Sequence, residues 1–176
     1  MTHTSHTITA EQVKLLISEG EGLIVEFKER YTPRIDQDIV AFANARGGTL
    51  LLGVRDDGSV AGERLTNDMK AKINSLMRNC KPVIAVNFSQ VGEVAAIVVP
   101  EGMEKPYSCG SGYFRRLDAT TQKMSHDELR IMFSENEPSP FEEKAVRGFT
   151  FDDISEAKML AFVKEAGIRI GSIAVP

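Results

Sequence analysis

The sequence predicts an α/β (α+β) fold in which a mixed β-sheet is packed with helices. Three observations support this class: apolar residues recur at helical spacing, short β-branched runs alternate with those segments, and turns rich in Gly or Pro separate them. Hydrophobic residues make up 42% of the 176, which is enough to fill an ordinary core. We expect one full domain in residues 1–136 and a linker with a connector helix in residues 137–176.

Composition and charge narrow the classes of function. The formal net charge of −4 argues against a protein that coats nucleic acid non-specifically, although a local basic cluster with salt-sensitive binding stays open. There is no long apolar run and no charged-then-apolar leader, so we expect a cytoplasmic protein without a membrane partner. Cys80 and Cys109 are far apart in the sequence, which favours free thiols in a reducing compartment over a zinc site.

The start of the chain predicts a helix followed by a strand. Thr9 is a typical N-cap, and Gly20 is a typical end for that helix. Residues 23–28 are apolar and β-branched, which indicates a strand. Because side chains alternate across a strand, Glu26 and Lys28 should point to the same side.

The next stretch predicts a helix, a second strand and a turn. The helix follows Pro33 and ends at Gly47, its expected C′ residue. Its buried stripe consists of apolar residues at helical spacing: Ile35, Ile39, Phe42 and Ala43. The apolar run of residues 49–54 is typical of a strand covered on both faces, and Asp57-Gly58 indicates a tight turn after it.

Two more helices follow in the second half of the chain. Thr66 or Asn67 caps the first, and Ser125 caps the second with Glu128 three residues later, which is a capping-box pattern. We expect the apolar residues of both helices to face inward: Met69, Ile73, Leu76 and Met77 in the first, and Leu129, Met132 and Phe133 in the second.

The remaining strands are predicted between these helices. Residues 83–91 and 93–99 form a hairpin that turns near Gly92. Residues 100–112 are rich in Gly, Pro and Ser and are expected to form a loop. Residues 113–116 indicate a short strand of aromatic and basic character.

The Glu26-Phe27-Lys28 run places a carboxylate and an ammonium group on one strand face. Carboxylate oxygens are ligands for hard cations such as Mg²⁺, and a nearby lysine could assist an attacking water. Glu21 and Asp56 could complete the set. The alternative interpretation is a solvated Glu–Lys pair worth roughly 0–1 kcal/mol, with Asp56 serving only as a turn residue.

Basic side chains at the ends of elements indicate nucleic-acid binding as a second hypothesis. With their aromatic neighbour, they are Arg46, Arg55, Tyr113, Arg115 and Arg116. Arginine beside an aromatic ring suits single-stranded or looped nucleic acid, through phosphate contacts and base stacking. The alternative interpretation is scattered surface charge, with Tyr113 and Phe114 in the core.

The sequence opposes a third hypothesis, a nucleotide-hydrolysing enzyme. Gly47-Gly48 is not followed by the lysine of a phosphate-binding loop, and the sequence has no complete motif of that kind. We therefore expect no bound nucleotide.

Four groups of residues carry a resemblance to a known family. They are Glu21, Glu26, Phe27 and Lys28; Ala41-Phe42-Ala43-Asn44 with Gly47-Gly48; Gly53-Val54 with Asp56, Gly58 and Gly62; and Lys105-Pro106 with Tyr113 and Arg115. On these residues, the stretch from about Gly20 to Phe133 resembles the Schlafen AlbA-like domain, also called a divergent AAA domain in bacterial regulators and RecG-like proteins.

The resemblance implies an α/β fold that binds nucleic acid. It also implies a ribonuclease activity in some animal members, dependent on Mg²⁺ or Mn²⁺ and carried by three carboxylates that align with Glu21, Glu26 and Asp56. The family usually has Arg-x-Gly-Ser after the tyrosine, whereas this chain has Arg115-Arg116-Leu117-Asp118, so the glycine is lost. We favour a DNA- or RNA-binding domain of a bacterial-type transcriptional regulator. The alternative is a metal-dependent ribonuclease that also uses Lys28.

The resemblance also bears on partners. Bacterial members commonly continue into ATPase-like and winged-helix regions, so the chain is expected to be an N-terminal portion of a longer regulator. Animal members pair two related lobes, so a single copy here predicts a homodimer. The C-terminal helix, expected to open at Asp152 or Asp153 and to end at Gly167, would dock on a downstream domain or a second chain.

Overall fold

The computed structural model describes residues 8–136 and 155–165. The chain separates into two compact units, Met1–Glu137 and Pro138–Pro176. Within these described residues, no helix is both long and apolar enough to cross a membrane.

Four strands of the first unit form a mixed sheet. They are β1 (Val25–Lys28), β2 (Gly48–Leu52), β3 (Asn87–Val91) and β4 (Val94–Val99). Their order in the sheet is β1-β2-β4-β3, with β1 parallel to β2 and the other two pairs antiparallel. This topology confirms the predicted α/β class with a mixed sheet.

Helices cover both faces of this sheet. The covering helices are α1 (Ala10–Glu19), α2 (Ile35–Asn44) and α3 (Asn67–Asn79), and the first unit also contains α4 (His126–Asn136). On one face, Val13 of α1 packs with Val25 and Phe27. On the other face, α2 and α3 form the larger core with alternate residues of β2 and β4. The prediction of a strand covered on both faces is therefore confirmed for β2.

The predicted caps are present at three helices, and at the start of α3 Thr66 Oγ1 accepts from the Met69 backbone N–H at 3.1 Å. Thr9 Oγ1 accepts from the Gln12 backbone N–H at 3.3 Å, and the Gln12 side chain accepts from the Thr9 backbone N–H at 2.8 Å. Ser125 and Glu128 make the same reciprocal pair at the start of α4. These bonds satisfy backbone donors that a helix start leaves without a partner.

A second, three-stranded antiparallel sheet was not predicted as such. It consists of β5 (Ser108–Cys109), β6 (Gly112–Leu117) and β7 (Thr120–Lys123). The prediction of a loop over residues 100–112 is wrong at its end, because β5 lies there. Only β6 was expected from the sequence, since β5 has two residues and β7 has no apolar alternation.

Buried polar contacts join α2 to this second sheet. The Asn44 amide donates to the carbonyl oxygens of Tyr107 and Phe114, each at 2.8 Å, and its Oδ1 accepts from the Tyr107 N–H at 2.6 Å. At the end of the same helix, Lys105 Nζ donates to the Ala45 carbonyl at 2.6 Å. Asn44 and Lys105 therefore fix the C-terminal end of α2 to the segment of the chain that carries β5 and β6.

Several boundaries differ from the sequence prediction; for example, β3 starts at Asn87 and not at residue 83. Strand β1 starts two residues later than expected, because Leu23 and Ile24 are 55% and 50% exposed. Gly47 adopts φ +76° two residues past the cap Ala45, one position later than predicted, and its N–H reaches the Phe42 carbonyl at 2.9 Å. The residues predicted to face inward from α4 are not fully buried, since Leu129 and Met132 are half-buried and Phe133 is 47% exposed.

The second unit contributes one described helix, α5 (Glu156–Glu165). It begins directly after Ser155, whose Oγ lies 3.4 Å from the Lys158 N–H nitrogen. The predicted start at Asp152 or Asp153 and the predicted end at Gly167 lie outside the described residues. Docking of this helix on another domain or a second chain stays a prediction, as does homodimerisation.

Candidate functional site

Glu26 lies at the centre of a buried ion network. It is 7% exposed, and its two carboxylate oxygens have different partners. Oε1 accepts from Nζ of Lys28, and Oε2 accepts from Nη1 of Arg116 at 2.7 Å. As predicted, Glu26 and Lys28 point to the same side of β1. Arg116, the third member of the network, lies on β6. Its ion pair with Glu26 of β1 therefore joins the two sheets.

Asp38 of α2 closes the network on its other side. Its Oδ2 lies 3.7 Å from Lys28 Nζ, and its Oδ1 accepts from the Thr121 hydroxyl at 2.6 Å. Thr121 in turn accepts from Arg116 Nη1 at 2.9 Å. Two carboxylates, two cations and the Thr121 hydroxyl therefore form a closed ring that links β1, α2, β6 and β7. Neither Asp38 nor Thr121 was expected from the sequence to belong to a site.

Burial and charge shift the pKa of two network members. Burial raises the pKa of Asp38, and this effect outweighs the hydrogen bond from Thr121 and the charge of Lys28. Burial also opposes the charge on Lys28, but the hydrogen bond that Lys28 donates to Glu26 and the charge of Asp38 outweigh it and raise the pKa of Lys28. Lys28 is therefore a charged partner of the acids at neutral pH.

Arg116 is fully enclosed. Its side chain exposes no surface, and Nη2 donates to the carbonyl oxygens of Gly22 at 2.6 Å and Val25 at 3.3 Å. Its guanidinium carbon lies 4.8 Å from the centroid of the Phe42 ring. A Cβ atom at position 48 would meet that ring at 2.4 Å, so Gly48 gives it room. This geometry does not support a direct contact between Arg116 and nucleic acid.

Glu21 protects the outer edge of the first sheet. Strand β1 is an edge strand, and Glu21 Oε1 accepts from the Phe27 backbone N–H at 2.9 Å. Burial raises the pKa of Glu21, and the charges of Glu26 and Asp56 raise it further. The charges of the other two carboxylates that the resemblance implies therefore both act on Glu21.

These three carboxylates do not fit a shared divalent cation as they are arranged. Both oxygens of Glu26 are held by cations, whereas Asp56 is exposed in the turn after Arg55. Across residues 8–136 and 155–165, no group of three or more His, Cys, Asp or Glu side chains could hold a metal ion. A cation bound by Glu26 would have to displace Lys28 or Arg116.

Two of the predicted basic residues lie on separate exposed positions. Arg46 follows the end of α2 and is exposed. Arg55 has a side chain 48% exposed, and its Nε lies 3.5 Å from the Glu29 carboxylate. Each could meet a phosphate, and each lies at the end of a different element.

Tyr113 and Arg115 lie on the outer face of β6, opposite to the buried network. Phe114 and Arg116 are buried, whereas Tyr113 and Arg115 are half-exposed, as strand alternation requires. Nη2 of Arg115 lies 2.5 Å from the Glu128 carboxylate of α4. The Tyr113 ring meets the Phe133 ring edge-on, with centroids 6.1 Å apart and planes at 73°.

The turn between β6 and β7 retains a special backbone conformation. Leu117 stands where the resembling family has glycine in its Arg-x-Gly-Ser run, and Asp118, in the place of the serine, adopts φ +51°. This left-handed region favours glycine, and aspartate is among the residues that tolerate it best. The lost glycine therefore does not prevent the tight turn that joins the two strands.

Comparisons with known proteins identify the family. A family model described as Schlafen, AlbA_2 matches residues 21–125. In a comparison with curated proteins, no match is found. The crystal structure of the DIP2311 protein from Corynebacterium diphtheriae is similar, with a TM-score of 0.52 and 16% identity.

That structural likeness concerns the fold alone, because the identity is low. It covers 92% of this chain and 34% of the DIP2311 chain, so this chain spans about a third of that protein's length. The family model, in contrast, matches more than half of this chain, and the family points to a function related to nucleic acid. The protein therefore belongs to the Schlafen AlbA_2 family.

Proposed function

We propose that this domain binds single-stranded or looped nucleic acid, DNA or RNA, on the outer face of its small sheet. The observation that carries the proposal is the placement of Tyr113 and Arg115, both half-exposed, on one face of β6. An arginine beside an aromatic ring offers a phosphate contact and a stacking surface. In the context of the family, the chain would serve as the nucleic-acid-binding module of a bacterial-type transcriptional regulator.

Polar residues of β7 extend the same face. Gln122 lies opposite Arg115, Thr120 lies opposite Leu117, and both polar side chains are exposed. An amide and a hydroxyl can hydrogen-bond to phosphate oxygens or base edges without adding charge. Because the net charge of the chain is −4, binding should depend on a small number of local contacts and should weaken as salt rises.

Arg46 and Arg55 enter the proposal as secondary phosphate contacts. Arg46 is exposed at the end of α2, and Arg55 forms an ion pair with Glu29. They would contribute where a longer strand of nucleic acid leaves the small sheet. Their removal should therefore affect long oligonucleotides more than short ones.

The test is a salt titration of oligonucleotide binding with an Arg115→Ala variant. Fluorescence anisotropy would follow labelled single-stranded DNA and RNA at several salt concentrations. Losing one phosphate contact should weaken binding at every salt concentration and should reduce the salt slope by about one.

The matched control is Arg130→Ala. Arg130 is also an arginine of the first unit, but it lies on α4, is 73% exposed and pairs with Asp127 at 3.6 Å. This variant makes the same change in net charge without touching the outer face of β6. If Arg115→Ala binds as tightly as the wild type, or if both variants lose the same affinity, the proposed surface is wrong.

The alternative proposal is a divalent-metal ribonuclease of the Schlafen type. The observation in its favour is that the charges of Glu26 and Asp56 both raise the pKa of Glu21. It requires Glu26 to exchange a buried cationic partner for a metal ion. The proposal of a binding module has no such requirement, and for this reason we favour it.

A further inference from the structure

Helix α4 lies against the face of β6 that carries Tyr113 and Arg115. Its Glu128 carboxylate forms an ion pair with Arg115, and its Phe133 ring packs edge-on against the Tyr113 ring. We propose that α4 is a displaceable cover that occupies this face in place of nucleic acid and so lowers the affinity of the domain. This inference rests on the proposed function of the same face and adds an intramolecular competitor to it.

The contacting groups of α4 resemble those of a nucleic acid in their chemistry. A carboxylate offers anionic oxygens to the guanidinium of Arg115, as a phosphate does. Hydrogen bonds from Ser125 and the charge of Arg115 hold the pKa of Glu128 below its usual range, so the group is ionised at neutral pH. Phe133 offers an aromatic ring to Tyr113, as a base does. Arg115 and Tyr113, on one face of β6, therefore meet an anionic group and an aromatic ring that both belong to α4.

The cover is held weakly along its length. None of its residues is buried, and Ile131 and Phe133 are 54% and 47% exposed. Displacing a helix that buries so little apolar surface costs little free energy, because burial supplies most of the stability of a packed element. The helix therefore has the properties of a segment that can open while the sheet beneath stays folded.

The start of the cover has a fixed pivot. Met124 is 6% exposed, and its backbone N–H donates to the Tyr113 carbonyl at 2.9 Å. The capping residue Ser125 follows directly, and the helix begins at His126. The chain is thus anchored at Met124 and is free to reorient after it, which would leave Tyr113 in place when α4 moves.

Arg115 is incompletely satisfied while the cover is closed. Among the residues that the structure describes, its buried Nε is one of two such side-chain atoms without a hydrogen-bond partner. A phosphate can accept two parallel N–H bonds from a guanidinium, whereas Glu128 is shared with the helix cap. Exchange of the carboxylate for a phosphate would therefore satisfy a donor that α4 leaves unpaired.

The test is a Glu128→Gln substitution in the full chain. Glutamine serves at this position of a capping box, so the start of α4 should be retained while the charge that holds Arg115 is removed. The competing contact is a partly exposed ion pair, so oligonucleotide affinity should rise by about twofold to fivefold. The probe is the same labelled single-stranded oligonucleotide, measured by anisotropy.

The matched control is Asp127→Asn, the neighbouring acid on the same helix. It removes an equal charge but pairs with Arg130 and not with Arg115. Equal gains in the two variants would mean a general charge effect and would overturn the cover. If Arg115→Ala loses binding but Glu128→Gln gains none, the cover is wrong while the proposed function stands. If Arg115→Ala binds like the wild type, the proposed function itself is wrong.

Hydrogen exchange gives an independent readout that does not need a variant. At saturating oligonucleotide, backbone amides of residues 126–136 should exchange faster, whereas those of β6 should exchange more slowly. A merely structural α4 would keep or increase its protection when the domain binds. Unchanged or slower exchange of α4 in the bound state would therefore overturn the inference.

Discussion

Arg115 and Arg116 are neighbours in one strand, yet they lie in two very different environments. The Arg116 side chain is 0% exposed and contacts a carboxylate, a hydroxyl and two carbonyl oxygens on the inner face of the small sheet. The Arg115 side chain is 37% exposed and has one acidic partner on the outer face. The same residue type therefore fastens two sheets together on one face and remains available to a ligand on the other.

The difference shows that position on the strand, and not residue type, decides the role of a charge. A cation enclosed with its partners is costly to unpair, because the charge that remains has lost both water and partner. A cation at the surface exchanges one partner for another at little cost, because water screens each state. Only the second kind can release its partner and bind a phosphate.

The largest expected effect comes from breaking the inner face with Arg116→Met. The change leaves the buried carboxylate of Glu26 without the partner of its Oε2, and unpairing a buried ion pair costs about 3–5 kcal/mol. The free energy of unfolding, measured by urea titration, should fall by that amount. The matched variant Arg115→Met should lose no more than about 1 kcal/mol, because its ion pair is partly exposed.

A reversed order of these two losses would remove the contrast between the faces. Equal losses would mean that the outer pair with Glu128 is as important for stability as the inner network. In that case Arg115 would be a structural residue, and the outer face would be a weaker candidate for binding.

A smaller effect is expected from pH acting on the inner face through Asp38. Its pKa is raised above 3.8 by burial, so its contribution to stability is complete below that value and is lost as pH rises through the folded-state pKa. The Asp38→Asn variant lacks this loss. Relative to the wild type, it should gain stability as pH rises above about 4, in urea titrations at a series of pH values.

An exposed aspartate provides a control of opposite sign. Hydrogen bonds with Ser59 hold the pKa of Asp57 below its usual value, so its contribution is present above the unfolded-state pKa and is lost as pH falls. The Asp57→Asn variant should therefore lose stability relative to the wild type over the same rise in pH. If both variants changed in the same direction, the shift assigned to Asp38 would be incorrect.

Much of the first sheet and the starts of several helices could be predicted because these elements carry strong local signals. The run that became β2 is apolar on both faces, and Thr9 and Ser125 carry capping patterns that do not depend on distant residues. The small sheet could not be predicted in full, because β5 and β7 are short and polar. Their pairing depends on contacts with α2, such as those of Asn44, that are far away in sequence.

The network around Glu26 on the inner face could be predicted only in part, for the same reason. Strand alternation correctly placed Glu26 and Lys28 together, and it also implies that Arg115 and Arg116 face opposite sides. A further signal was present in α2, since Asp38 lies three residues after Ile35 and one before Ile39, on the buried stripe. An acid on such a stripe requires a partner, but the sequence does not show that Thr121 and Lys28 supply it.

The smallest effect is expected from adding Mn²⁺. This experiment tests whether the Glu26 carboxylate can exchange Lys28 or Arg116 for a metal ion. We expect structured RNA incubated with Mn²⁺ to be degraded equally by the wild type and by Asp56→Ala. The physical reason is that Lys28 and Arg116 already hold both oxygens of Glu26, so the three acids share no free coordination site. Gel analysis of the RNA over time measures the outcome, with EDTA as the metal-free control.

The opposite outcome would change the interpretation of both faces. Faster Mn²⁺-dependent cleavage by the wild type than by Asp56→Ala would mean that Glu26 exchanges a buried cation for a metal ion in solution. Arg116 would then be a partner that leaves, and its burial would no longer distinguish it from Arg115. A Lys28→Met variant sharpens the test, because it frees Oε1 of Glu26 while the contact with Arg116 stays in place. Cleavage that appears only in this variant would show that the lysine alone closes the inner face to metal.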